Sequence, residues 1–107
     1  MGYMRHHSIA VTSWKETITE IHEEAKKQFG ELVSEIIFSP WNGYKSFFIA
    51  PDGSKEGWDE SIEYDVKRHN FIKYLSGFAY GDGSSSVRYC EYYWSDDDKK
   101  CGIINFN

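Results

Sequence analysis

The chain predicts an α+β fold, a two-layer sandwich of order βαββαββ, and three observations carry it. Two segments repeat apolar residues at helical spacing, and five short segments are rich in β-branched and aromatic residues. Turns rich in glycine, asparagine and serine separate them. The natural topology is ferredoxin-like with an added C-terminal hairpin strand, its helices on one face of a largely antiparallel sheet. At 107 residues, the span 1–107 is expected to form a single domain.

His7 to Thr12 (HSIAVT) reads as the first strand. Ser13-Trp14-Lys15-Glu16 then fits a capping box, in which hydroxyl and carboxylate satisfy orphan N–H groups reciprocally. Ile18, Ile21, Ala25 and Phe29 recur at helical spacing, and Gly30 offers a stop, so a first helix lies between. Leu32 to Ser39 reads as a strand. Asn42-Gly43 reads as a tight hairpin turn, because both central residues of a type I′ turn need φ > 0, and Tyr44 to Ala50 follows as the next strand.

Pro51-Asp52-Gly53-Ser54 reads as a turn that opens a second helix, running from about Ser54 or Lys55 to Leu75. Two stripes share its core face: Trp58, Ile62, His69 and Ile72, with Tyr64, Arg68, Phe71 and Leu75 beside them. Gly81 to Ser86 (GDGSSS) is a loop. Val87 to Trp94 and Gly102 to Phe106 form a terminal hairpin around the solvated turn Asp96-Asp97-Asp98-Lys99-Lys100.

Composition narrows the function. The formal charge is -5, which excludes duplex nucleic acid as a natural partner, since phosphate neutralisation needs a basic face. No apolar run reaches membrane-span or signal-peptide length, so a cytoplasmic protein without membrane contact is expected. Cys90 and Cys101 fall on the terminal hairpin out of register for a bridge and are expected to be free thiols. The 8 Tyr, 7 Phe and 4 Trp exceed what one small core can satisfy at their polar tips. Several strands carry apolar residues at both parities, so a homodimer or higher homo-oligomer is expected, with Tyr89 and Tyr93 at or near the contact.

Catalytic signatures are lacking. Neither G-x-S-x-G nor a Walker lysine occurs, and the cysteines sit mid-strand rather than at a helix N-terminus. His6 and His7 point to opposite faces of a strand, and His22 and His69 have no second ligand at helical spacing, so no metal or cofactor is expected. Glu56, Asp59 and Glu60 suit the dipole of a helix start without any catalysis.

Two places remain for a ligand. The first is the start of the second helix, where Ser54 and Lys55 could hold a phosphate and Trp58 could stack. The second gathers loops at the opposite end of the sheet. Trp41, Asn42, Tyr44 and Tyr80 supply rings and a turn there, and Asp82, Ser84 and Ser85 supply hydroxyls and backbone donors. Lys45 and Arg88 supply charge.

The segments HHSIAVTSW, NGYKSFFIAPDGSKEGWDES, the helix positions Asp65, Arg68 and Phe71-Ile72, and DGSSS together resemble a family of small uncharacterised bacteriophage proteins. The likeness covers His6 to about Asp98. The chain departs from the family pattern at Tyr64, where glycine is usual, and at Trp94-Ser95, where Tyr-Gly is usual. The resemblance implies a phage origin and assigns no catalytic residue. Small acidic phage proteins often disarm the host. The leading expectation is therefore a sponge that sequesters a host immune signalling nucleotide, a cyclic dinucleotide or a cyclised ADP-ribose. The alternatives are an acidic inhibitor that binds a host defence protein and a small nucleotide-degrading enzyme.

Overall fold

The computed structural model describes residues 4–96 and 99–107. Met1 to Tyr3, and Asp97 and Asp98 of the turn expected at Asp96 to Lys100, lie outside them. The elements run β1 (Arg5–Ser13), α1 (Thr17–Phe29), a short 3-10 turn (Gly30–Leu32), β2 (Ile37–Phe38), β3 (Lys45–Ile49), α2 (Asp59–Ser76), β4 (Val87–Ser95) and β5 (Cys101–Phe106). The fold is α+β: one five-stranded sheet of order β2-β3-β1-β4-β5, every neighbouring pair antiparallel, with two helices.

β1 is central, and alternation along it separates the faces. Ile9 and Val11 turn inward with Phe47, Ile49 and Val87 of the neighbouring strands. Against them pack Ile18, Ile21, Ala25 and Phe29 of α1, and Phe71, Ile72 and Leu75 of α2. Phe71 is fully buried and meets Phe29 edge-on at 5.8 Å between ring centroids. Of the two stripes expected on α2, that of Tyr64, Arg68, Phe71 and Leu75 lies at the core. Trp58 and Ile62 of the other are exposed, and Ile72 alone reaches the core from it.

Three expected features take a different form. The strand Leu32 to Ser39 is broken into a single bridge, Val33 with Ile49, and the two-residue β2. The cause is Ser34, whose Oγ accepts the Phe48 N–H at 2.9 Å in place of a backbone carbonyl. The capping box does not form: Ser13 Oγ accepts the Lys15 N–H at 3.1 Å, and the Glu16 carboxylate accepts from Lys45 Nζ at 2.7 Å. α2 begins at Asp59 rather than Ser54 or Lys55, because Gly53 (φ 84°) and Gly57 (φ 93°) hold left-handed backbone that no helix accepts.

Elsewhere the local chemistry works as read. Asn42 (φ 61°) and Gly43 (φ 67°) both take positive φ, though within a connection that runs from Ser39 to Tyr44 between β2 and β3 rather than in a tight two-residue turn. Cys90 lies opposite Phe106 and Cys101 opposite Trp94, and both thiols are free. No helix among the described residues is long and apolar enough to cross a membrane.

Tyr89 and Tyr93 point to the helix side of β4, not outward to a contact. Tyr89 packs on the core, and Arg5 lies 4.9 Å over the Tyr93 ring. Gly102 sits opposite Tyr93, where a Cβ would meet ring atom Cε1 at 2.7 Å. With Arg5 on the ring, Tyr93 has little freedom to retreat. Gly102→Ala is therefore expected to cost about 1–3 kcal/mol, as overpacking does, measured by urea unfolding. A midpoint equal to the wild type would show that the ring moves freely.

Candidate functional site

At the first candidate place, α2 starts too late and its surroundings are too acidic for a phosphate. Asp52 accepts hydrogen bonds from the Ser54 N–H and, very closely, from the Ser54 hydroxyl, so that hydroxyl is already engaged. Asp52 also pairs with Arg68 at 3.2 Å, and Asp65 pairs with the other Arg68 amine. Lys55 is exposed in the loop, and its carbonyl accepts the Trp58 N–H at 3.2 Å. A concavity of about 260 Å³ does lie here, but Asp52 and Glu60 line it beside Gly53, Ser54, Trp58 and Tyr64. Ser54, Lys55 and Trp58 thus do not converge on an anion.

The second place is assembled by the sheet register. Thr12 of β1 lies between Ser46 of β3 and Arg88 of β4, and its Oγ1 is 2.8 Å from the Ser46 hydroxyl. All three side chains take the outward parity. Around Arg88 two concavities adjoin, sharing Arg88 and Asn107. One, of about 160 Å³, is lined by Gly83, Ser84 and Ser85. The other, of about 390 Å³, runs over Ala10, Thr12 and Cys90 to Ile103 and Phe106.

Arg88 is exposed, with one amine donating to the main-chain oxygen of Asn107 at 2.7 Å. Asn107 is fixed in turn by its amide, which donates to the Val87 carbonyl and accepts the Tyr89 N–H. The Gly81–Ser86 loop is shaped by Asp82, which accepts both the backbone N–H and the hydroxyl of Ser84. Those hydrogen bonds hold the Asp82 carboxyl below its usual range. The Tyr80 N–H donates to the Ser84 carbonyl at 2.7 Å, and the Tyr80 hydroxyl accepts from Lys15 Nζ, which lowers the phenol's pKa.

The structure brings together Ser84, Ser85 and Arg88, with Asp82 and Tyr80 bonded to Ser84, and divides them from Lys45, Trp41, Asn42 and Tyr44. Lys45 takes the opposite parity from Arg88, pairs with Glu16 and lies 5.8 Å from the Phe38 ring centre. Trp41, 78 % exposed, and Asn42 and Tyr44 project at the β2–β3 turn and line neither concavity. Sequence reasoning missed Ser46, Ile103, Phe106 and Asn107. The alternation of β3 could have paired Ser46 with Thr12. Asn107 carried no signal, because its contacts depend on how β5 returns along β4.

The outward face of the sheet has one further property. Its strand positions are Ile37; Ser46 and Phe48; His6, Ser8, Ala10 and Thr12; Arg88, Cys90, Tyr92 and Trp94; and Cys101, Ile103 and Phe106. None is Asp or Glu, in a chain with 17 of them. No group of His, Cys, Asp and Glu among the described residues could hold a metal ion.

Compared with known proteins, the chain matches no family model, no curated protein and no solved structure.

The Asp52–Arg68 pair gives a pH dependence whose sign is fixed. Burial raises the Asp52 carboxyl, but hydrogen bonds from Ser54 and Arg68 outweigh it and the pKa falls below 3.8. A folded-state value below the unfolded one adds stability above the unfolded pKa, and this is lost as pH falls through the folded value. Asp52→Asn is expected to lose stability at neutral pH and to approach the wild type in acid. Urea titrations at both pH values check this, and an equal gap at both would contradict it.

Proposed function

We propose that the protein binds a small anionic nucleotide and sequesters it without chemical change. The observation that carries this reading is the Arg88 groove. A guanidinium stands at the junction of a small polar recess and a larger apolar one, on a face whose strand positions carry no Asp or Glu. Phosphate suits Arg88 and the Ser85 hydroxyl, which accepts the Val87 N–H and keeps its own proton to donate, while both Ser84 donors are held by Asp82. A base or ribose suits the floor of Ile103 and Phe106, which are 63 % and 69 % exposed.

With the resemblance to phage proteins, the reading becomes an anti-defence sponge in the host cytoplasm. Its ligand would be an immune signal of the cyclic dinucleotide or cyclic ADP-ribose type. The strand order supports a ferredoxin-like arrangement extended by β5. We also propose that two copies meet over the outward face, because a strongly acidic chain repels itself wherever carboxylates crowd the surface. Such a dimer would use Tyr92, Trp94 and Phe106, and it would roof the groove.

The ligand reading is tested by incubating the protein with cyclic dinucleotides and cyclised ADP-ribose, then heat-denaturing it and analysing the supernatant. A sponge depletes free nucleotide and returns it intact; products would indicate an enzyme, and an untouched panel would remove the proposal. Arg88→Ala is expected to weaken binding about ten-fold or more, the worth of a charge-assisted contact. Lys55→Ala is expected to leave affinity unchanged, and the reverse pattern would move the ligand to the α2 start.

Assembly has its own measurement. Light scattering at micromolar concentration is expected to give at least twice the 12.5 kDa chain mass. A strict monomer would remove the dimer and leave the groove open.

A further inference from the structure

At the end of the sheet away from Arg88, a further concavity of about 350 Å³ lies on the helix side. That volume is within the ordinary range for small-molecule pockets. Its lining includes Arg5 and His7 of β1, Glu91 of β4, Asn105 of β5, Arg68 of α2 and Glu56 of the preceding loop. Two observations there point to a ligand independently of the Arg88 groove.

The first is Glu91. It is 6 % exposed and sits opposite Ile9 on the inward face. Its Oε1 accepts from Asn105 Nδ2 at 2.7 Å, and among the described residues no cation pairs with it. A buried carboxylate held by one neutral amide is poorly compensated for its lost hydration.

The second is Arg68, 3 % exposed. Its terminal amines are engaged by Asp52 and Asp65, while its Nε–H has no acceptor among the described residues. An unpaired buried donor carries the full desolvation penalty of that group. The lining of one cavity therefore includes a residue whose carboxylate suits a cation and a residue whose buried guanidinium N–H lacks an acceptor among the described residues.

We propose that this cavity binds a small zwitterion of the amino-acid class, its ammonium on Glu91 and its carboxylate toward Arg68 Nε. Charge sets the class. Glu56, Asp65 and Glu91 outnumber the guanidiniums of Arg5 and Arg68, so phosphates are repelled and a positive pole is needed. His7, with Nε2 3.2 Å from Glu56 Oε1, adds a polar wall joining β1 to the loop before α2.

The test is a thermal-shift screen of the full chain against each standard L-amino acid, followed by calorimetry on the best one. At least one is expected to raise the melting midpoint by mass action. Its decarboxylated amine and its deaminated acid are each expected to bind about ten-fold weaker or worse, since each lacks a charge-assisted contact. Glu91→Gln keeps the shape and can still accept from Asn105, and it should lose about ten-fold in affinity with an unliganded midpoint at or above the wild type's, since a poorly compensated charge is gone. No shift from any amino acid overturns the proposal and leaves the cavity to water. Equal binding of the amine alone, or of wild type and Glu91→Gln, also overturns it. Should Glu91→Gln fail to fold, the comparison of analogues on the wild type still decides. Arg88→Ala should not alter this binding, which separates it from the nucleotide reading.

Discussion

A strand hydrogen-bonded along both edges has only its two faces left to choose between, and β1 is such a strand. Nine residues, Arg5 to Ser13, pair with β4 along their full length, and five of them pair with β3 on the other side. Register then carries the parity of β1 into its neighbours. Ile9 and Val11 inward put Phe47, Ile49, Val87 and Glu91 inward as well. Ala10 and Thr12 outward put Phe48, Ser46, Arg88 and Cys90 outward. A slip of one residue would drive Arg88 into the core and Ile9 into water, so hydrophobic burial fixes the position of the charged groove.

That constraint explains which parts of the fold were legible in the sequence. α1 could be read because its apolar spacing, its end at Gly30 and its burial all agree. β1, β3 and β4 were legible from β-branched and aromatic runs, though β1 extends to Arg5 beyond its apolar part. The start of α2 was not, because acidic residues and a serine after proline look the same in a helix as in a loop. Only the positive φ of Gly53 and Gly57, which the turn imposes, separates the two cases. Likewise LVSEIIFS has strand composition, and nothing in it tells that Ser34 would take a ladder hydrogen bond with its side chain.

The sites were legible only in part, for a related reason. Lys45 and Arg88 both stand near one end of the sheet, and sequence proximity to the loops suggested one basic pair. Their opposite parities put Lys45 with Glu16 and Arg88 in the groove. Arg68 was placed on a helical stripe with Phe71 and Leu75, yet an arginine there suggests an exposed edge. It is buried because Asp52, sixteen residues earlier, returns to meet it. Such long-range pairing is also what joins His7 to Glu56, and no local pattern announces it.

The Arg88 groove and the helix-side concavity at Glu91 differ because the sheet sorts charge between its faces. The outward face offers Arg88, hydroxyls and apolar side chains, with no carboxylate among its strand positions. Among those strand positions Arg88 is the one residue that carries a fixed charge. The helix side collects Asp52, Glu56, Asp65 and Glu91 around two arginines, so positive charge there is largely answered by the protein itself. A guanidinium flanked by carboxylates is a weak lure for phosphate, whereas the same group beside hydroxyls and an apolar floor is a strong one. The same residue type therefore answers the protein's own acids in α2, with one N–H left over, and stands exposed beside the groove in β4, and the surrounding acids decide which.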